Sequence, residues 1–141
     1  VRLPLAGDSQ PIILGEVMNR KGEYDENDIF YGMKPSDNEP ATTNKEGVKL
    51  NDPMMPITWI KSYQIPGGET GKAITSTVGA ANDMLIEGTR RLLVNGVFWA
   101  MDLEVPGKAD VRLVGDYNPT KFEFRDEAYW TQKQVKVENF E

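Results

Sequence analysis

Ala73-Ile74-Thr75-Ser76-Thr77-Val78-Gly79-Ala80-Ala81-Asn82-Asp83 decides how the chain is read, because the pattern changes period inside it. Up to Val78 the stretch is rich in Ile, Thr and Val, the composition of a β-strand. Gly79, Ala80 and Ala81 are small, and Asn82 or Asp83 is a good helix N-cap. Beyond them Leu85, Ile86, Leu92, Leu93, Val97, Ala100 and Leu103 recur at helical spacing. Trp99 widens that stripe, and Arg90 and Arg91 lie off it. Pro106-Gly107 stops the helix. Strand, small-residue turn and long helix in this order predict an α/β chain.

Upstream, Ile57–Ile65 alternates, with Ile57, Trp59 and Lys61 on one face and Thr58, Ile60 and Ser62 on the other. Pro66–Gly71 is a turn and Lys72–Val78 a second strand, so the two form an antiparallel hairpin with a long loop. Asn19–Pro56 has almost no periodicity and carries Gly22, Gly32, Pro35, Pro40, Gly47 and Pro53. A structureless stretch of that length reads as a functional or partner-binding loop, pinned through Ile29, Phe30, Tyr31 and Met33. Pro11–Met18 is a strand with Gly15 as its bulge, and Val1–Leu5 is a short β-segment. Val111–Val114 is one more extended piece. The expected organisation is one unit over 1–124, with an irregular loop at 19–56, followed by a polar tail at 125–141.

The 141 residues are 39% hydrophobic, enough for one packed domain. Sixteen basic against 22 acidic side chains give −6, which argues against nucleic acid or an anionic membrane surface as partner. No apolar run approaches the roughly 18 residues of a membrane span. With no Cys and no His, a disulfide, a thiol nucleophile, an imidazole base and a conventional zinc site are all excluded. Neither a metal nor a cofactor is expected.

Two motif-like stretches fail their own patterns. Gly67-Gly68-Glu69-Thr70-Gly71-Lys72 would need Gly where Pro66 stands and Ser or Thr where Ala73 stands, and it precedes a strand rather than a helix. Asp25-Glu26-Asn27-Asp28 has Phe30 and Ser36 where a calcium loop needs Gly and Glu. Trp59 and Trp99 read as core, with Trp130 open. The better candidate is the end of the 73–78 strand. A ligand can approach small residues there, and a helix N-terminus offers free N–H groups. The expected site is Gly79, Asn82 and Asp83, flanked by Thr75 or Thr77 and by Thr58. Asp83 offsets the positive helix end, so the site suits a neutral polyol, and a plain helix cap is the competing reading.

Several segments resemble, in order, the trehalose-utilisation (ThuA-like) family, in the variant found in planctomycete-type secreted proteins. They are Asp52–Trp59, Ala73–Val78, Gly79–Asp83 and Glu87–Ala100, with Leu3–Pro11 and Gly115–Phe122 outside them. The Arg90-Arg91-Leu92-Leu93 run leading to Trp99-Ala100 is the most specific part. The resemblance implies a three-layer fold like class I glutamine amidotransferases (flavodoxin-like), without their catalytic Cys, and a link to carbohydrate metabolism. It also implies a secreted or periplasmic location. Family members are longer, and the absent part is the N-terminal half with most parallel strands and the His-containing motifs. Where many members carry Gly-His after the penultimate strand, Gly79 is followed here by Ala80.

The expectation is therefore the C-terminal half of a ThuA-like domain, contributing one wall of a sugar-related site. Its cover would be another polypeptide, either the N-terminal half or a second copy. The rival readings are a non-catalytic interaction module using the long loop and acidic tail, and a hydrolase with two converging carboxylates about 5–9 Å apart.

Overall fold

In the computed structural model, which describes residues 3–139, three strands form one antiparallel sheet: β1 (Gln10–Gly15), β2 (Met55–Gln64) and β3 (Thr70–Ser76), in the order β1-β2-β3. The predicted hairpin is present, with Thr58 opposite Ser76, Ile60 opposite Ile74 and Gln64 opposite Thr70. Its tip is closed by the Gly68 amide donating to the Ile65 carbonyl at 2.8 Å. A single 3₁₀ turn (Ala81–Leu85) leads into α1 (Glu87–Ala100), and α2 (Glu127–Lys133) lies in the tail. The chain is thus mixed α/β. Among the described residues no helix is long and apolar enough to cross a membrane.

α1 packs over β3, and Gly96 sets how closely. A Cβ at Gly96 would stand 2.9 Å from Cδ1 of Ile74, so only glycine allows this approach without a shift. The helix starts later than its expected caps. Ile86 is extended (φ −86°, ψ 120°) and is the N-cap of α1, while Asn82 and Asp83 belong to the preceding 3₁₀ turn. The helix also ends at Ala100, before Leu103 and well before Pro106. Asp102 takes a left-handed conformation (φ 57°), the Asp102 amide donates to Trp99 and the Leu103 amide to Phe98. That is a Schellman closure with Asp where Gly is usual. Lys72 pairs with the Asp102 carboxylate and so ties this end to β3.

β1 stops at Gly15, short of Met18, and its register slips between Pro11 and Leu14 rather than at Gly15. Pro11 offers no N–H to the ladder, which suits an edge strand. Of the expected Val1–Leu5 segment, Val1 and Arg2 lie outside the described residues, and Leu3–Leu5 form no strand. Val111–Val114 is irregular too. It is held by side chains instead, with Arg90 Nε donating to the Val111 carbonyl at 2.6 Å. The tail contains the unexpected α2, capped by Asp126, whose carboxylate accepts from the Tyr129 amide at 2.9 Å.

The 19–56 loop is irregular but stitched. Asn51, itself in the left-handed region (φ 61°), accepts from the Val17 amide and donates to the carbonyls of Val17 and Ala41. Its middle is held by Asp28, whose carboxylate takes the amides of Phe30 and Gly32.

Packing is sparse. Among the described residues Ala41, Pro56, Ala109 and Val111 are buried apolar residues, whereas Ile12, Leu14, Leu93, Val97 and Phe124 are among the exposed ones. The accessible surface is 11288 Å². A folded monomer of 15.8 kDa should expose about 7,300 Å² by the usual scaling with mass. The excess is about 4,000 Å².

Candidate functional site

The end of β3 is fastened to β2 by backbone and side chain alike. The Thr77 amide donates to the Ile57 carbonyl at 2.8 Å, and its hydroxyl to the same oxygen at 3.3 Å. Ser76 Oγ accepts from the Val78 amide at 3.1 Å and also meets Thr58 Oγ1 at 3.1 Å. Small residues follow, and Asp83 folds back over them. Its Oδ2 accepts from the Gly79 amide at 3.0 Å and the Ala80 amide at 2.9 Å. Asp83 is therefore a turn-closing group that satisfies amides upstream of itself.

This geometry leaves a hollow of about 450 Å³ bordered by Ser76, Thr77, Val78, Gly79, Ala80 and Asp83, together with Phe122. A Cβ placed on Gly79 meets nothing within 4 Å, so the backbone there is open to approach. Phe122 is 57% exposed and stacks edge-on with Phe124. Its segment is brought there by the long loop: the Tyr31 hydroxyl donates to the Phe122 carbonyl, and Lys121 donates to the Glu26 carbonyl.

Of the six expected site residues, Thr77, Gly79 and Asp83 border the hollow. Thr58 does not: it is fully buried and spends its hydroxyl on Ser76. Thr75 stands opposite Trp59 on β3 and is exposed outside the hollow. Asn82 is buried, and its Nδ2 donates to the Ile29 carbonyl at 3.1 Å, clipping the long loop to the turn. Sequence reading missed Ser76 and Phe122. Alternation along β3 marks Ser76 as the residue between two chosen threonines, but no periodicity marks Phe122, which arrives from 39 positions beyond Asp83.

Asp83 is the one carboxylate bordering the hollow, so the convergent pair a hydrolase needs is not assembled there. Among the described residues no cluster of acidic side chains could hold a metal ion. The displaced carboxyl pKa values lie elsewhere and all move down. Asp8 is lowered by the Ser62 side chain and amide, Asp28 by the Gly32 and Phe30 amides, Glu87 by Arg91 and Asp110 by Arg112. A lowered carboxyl pKa does not make a general acid at neutral pH.

The aromatic residues divide as follows. Trp99 and Trp59 are half-buried on helix and sheet, and Lys72 sits 5.2 Å from the Trp99 ring centre. Trp130 is exposed on α2 against Tyr129. No family model, no curated protein and no solved structure matches the chain.

Proposed function

We propose that the chain is a ThuA-like half-unit of the glutamine amidotransferase-like class, whose hollow at Thr77, Gly79 and Asp83 forms one wall of a site for a neutral carbohydrate. The observation that carries this reading is a backbone open to approach at Gly79, flanked by an exposed aromatic ring and a carboxylate. An aromatic face with nearby acceptors is the combination that holds a sugar ring and its hydroxyls. Asp83 Oδ2 is spent on two amides, and Oδ1 takes no bond from the described residues, leaving it for a ligand hydroxyl. A half-site of this kind binds weakly, because each exposed hydrogen bond contributes only about 0.5–1.5 kcal/mol. Another polypeptide, the N-terminal half or a second copy, completes the wall, in a secreted or periplasmic setting.

A second reading, an interaction module without catalysis, is favoured by the 11288 Å² of accessible surface. The test separates them. Gly79→Leu adds bulk at the border of the hollow, where a Cβ meets no atom within 4 Å, and Phe122→Ala removes the ring. Both should leave the melting temperature within about 2 °C of the parent, as surface changes usually do, while neutral-sugar binding by calorimetry disappears. Unchanged binding in both variants contradicts the sugar wall and leaves the interaction module.

A further inference from the structure

A second concavity lies at the opposite end of the sequence logic, where the first turns of α1 meet the 108–112 segment. It encloses about 360 Å³, and its border includes Arg90, Arg91, Lys108 and Arg112 with only two acids, Glu87 and Asp110. The chain carries −6 overall, yet this border carries a net positive charge of two.

The two acids are already committed. Glu87 pairs with Arg91, and Asp110 holds Arg112 through bonds of 2.7 and 2.9 Å. Arg90 spends its donors on neutral carbonyls, those of Val111 and Met84, each at 2.6 Å. Lys108 makes no hydrogen bond or close ion pair among the described residues and acts on the Glu87 carboxylate through space. Arg90 also acts on Glu87, so four cations share two carboxylates around one hollow and the surplus stays positive. Two further observations point the same way. Arg91 Nε is buried with no acceptor among the described residues. The N-cap of α1, Ile86, has no side-chain acceptor, so the positive end of a 14-residue helix is uncapped beside Glu87.

We propose that this concavity binds a phosphate dianion on a small molecule. A surplus of two positive charges on the border matches the two negative charges of the ligand. The donors of Arg90 and Arg91 that are not spent on Val111, Met84, Glu87 and Ala109 suit a tetrahedral oxyanion, and Lys108 adds a point charge. The overall acidity of the chain disfavours a polyanion such as nucleic acid at the same place.

The probe is inorganic phosphate, titrated at constant ionic strength into the full chain and followed by amide NMR. Saturable shifts confined to residues 87–91 and 108–112 are expected. Lys108→Gln should weaken binding about tenfold, the usual effect of losing one charged hydrogen bond, and Lys108→Glu should abolish it. Lys108→Arg should restore it, and acetate, a monoanion, should bind more weakly than phosphate. Lys108 is exposed, so none of these changes threatens the fold. Shifts that never saturate, that are the same in Lys108→Glu, or that acetate reproduces at equal concentration overturn the assignment.

Discussion

Thr58 shows how a residue chosen for ligand chemistry can be needed for packing. Its hydroxyl is fully buried on the Ser76 hydroxyl across the β2–β3 pair. Thr58→Val keeps the shape and removes one buried hydrogen bond, which should cost about 1 kcal/mol in a urea titration, with sugar binding unchanged. Asp28 acts through charge. Its carboxyl pKa is lowered chiefly by the Gly32 amide and next by the Phe30 amide. A lowered folded-state pKa contributes stability that is present above the unfolded value near 3.9 and is lost as pH falls through the folded value. Asp28→Asn should therefore lower the urea midpoint at pH 7 and flatten its decline below about pH 4. An unaltered decline would show that the two amides do not favour the charged form. The residue scale was only partly legible in sequence. Thr77, Gly79 and Asp83 border one hollow because strand end, small turn and acid are local features. The structural tie of Asn82 is not legible locally, because its partner, the Ile29 carbonyl, lies 53 positions away.

The elements themselves were more legible than their ends. The β2–β3 hairpin follows from alternation on both sides of a Gly-rich turn, and α1 follows from its apolar spacing. The ends depend on single conformations that composition does not announce: an extended Ile86 before α1 and a left-handed Asp102 after it. α2 was missed because seven residues carry too few turns to show a period. The contact between α1 and β3 turns on Gly96, whose added Cβ would stand 2.9 Å from Ile74. Gly96→Val should destabilise by about 1–3 kcal/mol through overpacking. Ile74→Ala in the same chain should recover part of that loss, a coupling that a double-mutant cycle reads directly. Strictly additive effects would mean that the helix and strand do not press on each other at this point.

For the whole molecule, the decisive quantity is surface. Few apolar side chains are buried among the described residues of this 15.8 kDa chain, Ala41, Pro56, Ala109 and Val111 being the ones that are. Apolar side chains stand open on β1 and α1, including Ile12, Leu14, Leu93 and Val97. The proposal that a second polypeptide completes both the core and the sugar wall would account for this. Small-angle X-ray scattering on the purified chain tests that claim most directly, since one profile gives both mass and size. The account predicts either a mass above 15.8 kDa, from copies covering one another's open faces, or a monomer expanded well beyond the radius of gyration of about 14 Å expected for 141 compact residues. A monomeric particle at about 14 Å would contradict it.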